Sequence, residues 1–200
     1  MVLVTLVVIL NLVISFFNAR SVGRVWAESK ALGGWIRLVV WAGAVQSAVG
    51  FTYCYSVILG FLLYHFGVLP PEAFNFLLGF VYIAIVIPLI GSGIIITIES
   101  WIVAYRERNL ANCGVAVWNT FAQFHNTYNA ISSFGGVWDK ISGKFGDIFD
   151  SDSDSDNVKT KLALLVAIIA LVGGILTTTL IVGKYAASIP MPDRNRLRED

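Results

Sequence analysis

The residue types that could do chemistry are few in this sequence, and their spacing gives them little to do together. His125 could act with Cys113 or Asp139 as a nucleophilic or acid–base group. It lies, however, among Asn119, Gln123, Asn126 and Asn129, where a lone histidine reads as a polar surface residue. A second constellation is the alternating run Asp150-Ser-Asp-Ser-Asp-Ser-Asp156. Asp152, Asp154 and Asp156 match the opening of a calcium loop, but the glycine position holds Asn157 and the closing acidic ligand would be Ala163, so the match stops there. The run reads as a solvated tether. No Gly-rich phosphate loop, zinc-protease pair, nucleophile elbow or haem-attachment motif is present. The expectation is a non-enzymatic protein with no catalytic, cofactor-binding or metal-binding residues and no cofactor.

Transport would announce itself through ionisable residues deep in apolar stretches. Arg37, His65, Glu72 and Glu99 all lie at the ends of such stretches. The polar residues left inside are Asn11, Gln46 and Ser47, expected to bond to a neighbouring helix.

The elements that must position these side chains are set by the solvent. Of 200 residues, 56% are hydrophobic and 14% charged, with mean hydropathy +0.74. Soluble domains are roughly 25% charged, so this is an integral membrane protein, expected as multi-pass in a cell (inner) membrane. A net charge of +1 carries no message of nucleic-acid binding. Cys54 and Cys113 have no CxxC partner or metal spacing and read as free thiols.

Four apolar runs follow. The first transmembrane helix, 1–19, lacks a positive leading region and reads as an uncleaved signal anchor. A connector, 20–37, carries Arg20, Arg24, Glu28 and Lys30. The second helix, 38–64, has Gly43, Ser47 and Gly50 on one face, small enough for another helix to come close. Gly67 and Pro70-Pro71 make 65–73 an external hairpin. The third helix, 74–98, contains Pro88 and Gly91-Ser92-Gly93, where a kink is expected. Trp35, Trp41, Trp101 and Tyr105 should form one aromatic belt. The last helix, 162–183, repeats small residues at Ala163, Ala167, Ala170, Gly174 and Thr177, a stripe for packing within the bundle or for self-association. The tail, 184–200, is charged.

Between the third and fourth helices, 99–161 has room for structure of its own. Phe121, Phe124, Tyr128 and Ile131 are spaced three, four and three; Trp138, Ile141, Phe145 and Ile148 repeat the pattern out of phase with the first set. With Gly135-Gly136 between them, two cytoplasmic amphipathic helices are expected, packed on the ends of the bundle, lying at the membrane interface through apolar area alone, or presenting an interaction face to another protein or a second copy. The fold class is therefore all-α: four transmembrane helices with an amphipathic helical subdomain between the third and fourth.

An external N-terminus puts ten basic residues inside, Arg20 to Lys161, against Lys184, Arg194, Arg196 and Arg198 outside. That is the favoured orientation, but it strands a basic tail on the wrong side. The functional expectation is a scaffold or accessory subunit whose partners are the lipid bilayer and either another protein or a second copy. An oligomeric pore, channel or transporter, including a phage-type membrane-permeabilising protein, is the alternative.

Overall fold

A computed structural model describes residues 2–149 and 155–188, and among these there are five helices and no strand. They are α1 (Val2–Leu32), α2 (Gly34–His65), α3 (Pro71–Glu107), α4 (Leu110–Phe149) and α5 (Ser155–Ala187). Four of them, α1, α2, α3 and α5, are long and apolar enough to cross a membrane. The run Asp150 to Asp154, with the calcium reading of Asp152 and Asp154, and the tail from Ile189 lie outside the described residues.

The breaks fall where the backbone demands them. Gly33 and Gly67 have φ of 63° and 70°, values that glycine adopts without the penalty a Cβ imposes. Pro71 opens α3 at the position where its missing N–H costs nothing. Arg108 closes α3 in the left-handed region, and the Asn109 side chain then accepts the N–H of Asn112 at 2.8 Å to start α4. The expected connector 20–37 is helical as far as Leu32, because its charged residues are good helix formers and Gly33, not Gly23, is the first to take a positive φ. Pro88 does not end α3; the Ser92 hydroxyl donates back to the Pro88 carbonyl at 2.5 Å within a continuous helix.

The expected pair of helices divided at Gly135-Gly136 is instead one helix of 40 residues. The two apolar sets are out of phase because they occupy different faces of it. Phe121, Phe124, Tyr128 and Ile131 point out of the bundle, each more than 60% exposed. Ile141 and Ile148 point in and are buried, with the Phe145 ring tilted against Phe76 and Phe80. Trp138 is half-exposed.

Paired contacts fix the course of the chain. Asn18 meets Gly43 while Cys54 meets Val8, so α1 and α2 are antiparallel. Gln46 meets Leu89 and Gly60 meets Phe74 and Leu77, so α3 opposes α2. Along α4, Asn119 lies by Thr97, Asn129 by Tyr82 and Phe145 by Phe76: α4 runs back beside α3 over most of its length. It is not a subdomain set at one end. α5 then runs parallel to α1, bringing Tyr185 to Gly23, and packs on α2, α1 and α3. The result is a row α1-α2-α3-α4 with α5 behind its first three members. One end, the Gly33 end, carries the α1–α2 and α3–α4 turns and Ser188; the other, the Gly67 end, carries the α2–α3 turn.

The small residues seat these contacts. A Cβ on Gly43 would meet Val22 at 2.8 Å, one on Gly50 would strike the Ser15 side chain, and Ser47 is fully buried with its hydroxyl on the Gly43 carbonyl. On α5, Ala163, Ala167 and Ala170 are fully buried, and Gly174 lies against the backbone of Thr52 and Ala48. Thr177 shares a hydrogen bond of 2.9 Å with the Tyr55 hydroxyl. The α5 stripe is thus consumed inside one chain.

Candidate functional site

With α5 covering one side of the row, the other side is open. There α1 and α4 stand apart, with α2 and α3 as the floor between them. α1 contributes Asn11, Ser15 and Asn18 at spacings of four and three; α4 contributes Asn119, Gln123 and Asn126 at the same spacings. Two helical faces of amides and hydroxyls therefore border one cleft.

Two adjoining hollows make up its deeper part. The first, about 260 Å³, is lined by Asn18, Gln46, Gly93, Thr97, Asn119, Gln123 and Asn126. The second, about 360 Å³, adds Asn11, Ser15 and Tyr53 and shares Asn18, Gln46 and Asn126 with the first. Several of the amides are anchored. Asn18 donates to the Gly43 carbonyl at 3.2 Å, Gln46 to the Leu89 carbonyl at 3.1 Å and Ser92 Oγ at 3.0 Å, and Gln123 to the Ile90 carbonyl at 3.1 Å. A third hollow, about 670 Å³, lies nearer the Gly67 end between α3 and α4, lined by Asn75, Tyr82, Glu72, Lys140 and Lys144 among others. On its lining, the Tyr82 hydroxyl donates to the carbonyl of Asn129 at 3.4 Å, one turn of α4 from Asn126 of the first two hollows. Polar side chains thus follow the open side from Thr97 and Asn119 to Glu72 and Lys144.

The height of this line matters. Tyr82 is nine residues into the uncharged stretch that starts at Ala73, about 14 Å along the helix at 1.5 Å per residue. At that height and within about a turn to either side of it, His125 above and Ser132 and Ser133 below Asn129, α4 turns these four residues outward, all exposed. Within α4 His125 and Asn129 share a hydrogen bond and the Ser132 hydroxyl donates to the Asn129 carbonyl at 3.1 Å, and in hydrocarbon the remaining donors and acceptors of these groups would go without partners. Here they flank a cleft that is itself polar.

The residues considered for chemistry are not brought together. Cys113, His125 and Asp139 sit on one helix, so twelve residues separate the thiol from the imidazole, about 18 Å. His125 instead shares a hydrogen bond of 2.9 Å with Asn129 and stacks on Phe121. Among the described residues no three His, Cys, Asp or Glu side chains form a metal-sized group. What the cleft can do is exchange hydrogen bonds with water or with neutral polar groups.

The sequence pattern alone places Asn119, Gln123 and Asn126 on the polar face of a peripheral helix. They face the bundle instead, and the spacing shared with Asn11, Ser15 and Asn18 is the signal in the sequence for that. The aromatic belt residues gather at the Gly33 end: Trp35 donates to Glu99, Trp41 packs edge-on against Trp26, and Trp101 donates to Thr120 Oγ1 at 2.9 Å. No protein-family model, curated protein or solved structure matches the chain.

Proposed function

We propose that this is a non-enzymatic, multi-pass membrane protein that provides a polar path through the bilayer, several copies combining so that their α1–α4 clefts border a shared aqueous lumen. The observation that carries the reading is the exposed polar strip of α4, His125, Asn129, Ser132 and Ser133, at the height of the apolar spans. His125, Asn129 and Ser132 bond in part within α4, and lipid cannot satisfy the donors and acceptors they have left, whereas water or the same strip of a second copy can. The amides lining the cleft are uncharged, which suits water and small neutral or weakly hydrated solutes. Charged residues stand toward the cleft's two ends, Glu99 in a hollow beside Asn119 and Glu72 and Lys140 toward the Gly67 end.

Purified protein reconstituted into liposomes tests this by release of a small trapped dye and by planar-bilayer current. Flux should be present, and modification of Asn129→Cys by a water-soluble thiol reagent should reduce it. Protein that inserts but leaves the vesicles tight would overturn the pore reading.

A scaffold or accessory subunit is the second reading, favoured by the outward row Phe121, Phe124, Tyr128 and Ile131, which no other described part of the chain covers. Cross-linking in a native membrane, compared with Phe121→Asp/Phe124→Asp, separates the two. Loss of specific neighbours in tight vesicles would favour the scaffold.

A further inference from the structure

We propose that α4 is a fifth membrane crossing, with Phe121, Phe124, Tyr128 and Ile131 against lipid hydrocarbon, and that the Gly33 end of the bundle faces the cytoplasm. The direction of the helices requires the first part. α3 and α5 both run from the Gly67 end to the Gly33 end, since Ala163 and Ala167 share a core with Ala73 and Phe76 while Tyr185 reaches Gly23. A chain that leaves α3 at one end and starts α5 at the other must traverse the whole bundle in between. α4 does so alongside α3, with Asn119 opposite Thr97 and Phe145 opposite Phe76.

The faces of α4 suit that path. Gln123 turns inward and holds the Ile90 carbonyl, while the row Phe121, Phe124, Tyr128 and Ile131, turned away from the bundle, is aromatics and isoleucine and runs beside the exposed strip of His125, Asn129, Ser132 and Ser133. That row continues the apolar belt of α3, where Ile87 is 73% and Ile94 47% exposed. Exposed apolar side chains at one height on neighbouring helices are what hydrocarbon covers. Averaged along the sequence, the inward amides dilute the hydropathy of α4, and a window that ignores faces passes over it.

The charges supply an independent argument. Five crossings bring the chain after Ser188 back to the Gly33 end. The arginines of α1, of α2, of the α3–α4 turn and of the segment after Ser188 then all share one side, which makes every arginine of the sequence a resident of that side. Four crossings instead send Arg194, Arg196 and Arg198 across the membrane from the rest. The other end has no arginine and keeps Lys140, Lys144, Lys159 and Lys161 with His65, beside Glu72. Basic residues concentrate on the cytoplasmic side, so the Gly33 end is assigned there. The inference does not rest on the pore reading, because a five-crossing protein that carries no flux would keep it intact.

The test replaces Cys54 and Cys113 by serine, introduces Phe66→Cys, Leu110→Cys or Ser188→Cys, and labels bacterial cells expressing the full chain with a membrane-impermeant maleimide. Phe66→Cys should react in intact cells, and Leu110→Cys and Ser188→Cys only after permeabilisation. An epitope tag appended after Asp200 gives the same answer without relying on a substitution within the bundle, and should be protected from external protease. Leu110→Cys and Ser188→Cys on opposite faces, or a tag digested in intact cells, would overturn the proposal. For the lipid contact, a fluorophore on Phe124→Cys should be quenched by doxyl groups on lipid chains. Shielding from both lipid-borne and aqueous quenchers would mean that a protein covers the row, and quenching by aqueous iodide alone would mean that water does; either result sinks that part.

Discussion

Gln123 of α4 lies over Gly93 of α3, and its amide reaches past that glycine to donate to the Ile90 carbonyl at 3.1 Å. A Cβ on Gly93 would collide with the Gln123 carboxamide, whereas one on Gly91 meets nothing within 4 Å. Gly93→Leu should therefore cost about 1–3 kcal/mol through overpacking, and Gly91→Leu markedly less. Gln123→Leu, which forfeits an interhelical hydrogen bond, should cost about 0.6–2 kcal/mol. Unfolding in mixed detergent measures all three. Equal losses at positions 91 and 93 would mean that α4 does not rest on α3 here.

The seat of α5 gives a sharper comparison. At Gly174 an added Cβ would come within 2.7 Å of the Thr52 nitrogen and 2.8 Å of the Ala48 oxygen, both backbone atoms that cannot swing aside. At Gly183 there is open space. Gly174→Ala is expected to destabilise the fold by about 1–3 kcal/mol, while Gly183→Ala, which replaces a poor helix former by a good one, should be neutral or slightly stabilising. The melting temperature in detergent reports both. A Gly174→Ala protein as stable as Gly183→Ala would place α5 elsewhere.

Runs of uncharged residues such as 38–64 make the apolar helices plain in the sequence, because a bilayer imposes length and hydropathy on any segment that crosses it. The small residues Gly43, Ala163 and Gly174 were legible as close-approach positions for a related reason: without a hydrophobic drive in lipid, helices meet where side chains are small. α4 was harder. Its two apolar sets, Phe121 to Ile131 and Trp138 to Ile148, carry the right period, but period alone does not say which face looks inward. The natural assumption, apolar in and polar out, holds for Ile141 and Ile148 and is reversed for Phe121 and Gln123. In a membrane the reversed arrangement is the economical one, since hydrocarbon lies outside and hydrogen-bond partners lie within. The convergence of Asn11, Asn18, Gln46 and Asn126 depends on which helices are neighbours, and a single sequence does not contain that.

Continuity of α4 through Gly135-Gly136 can be tested directly. Neither glycine has a positive φ, and a Cβ at either meets nothing within 4 Å. Both are exposed positions in the interior of one helix, where alanine is better than glycine by about 1 kcal/mol per residue. Gly135→Ala/Gly136→Ala should therefore raise the melting temperature and leave the protein assembled. A lower melting temperature would show that the pair is a turn between two shorter helices.

The last prediction separates the two outer sides of α4. Phe124 and Ser132 are both exposed and eight residues apart, which turns them about 80° from one another around the helix. If lipid covers Phe124, Phe124→Asp puts a carboxylate into hydrocarbon, at about 2.5–3.5 kcal/mol for a central position. If water or a polar strip of a second copy covers Ser132, Ser132→Asp meets a medium that can solvate it and costs much less. The quantity to compare is the fraction of each variant recovered in the membrane as folded protein, with wild type as reference. A strong loss for Phe124→Asp beside near-normal recovery of Ser132→Asp supports a helix that faces lipid on one side and a wet cleft on the other. Equal, severe losses would put both sides in hydrocarbon and remove the physical basis for a polar path along α4.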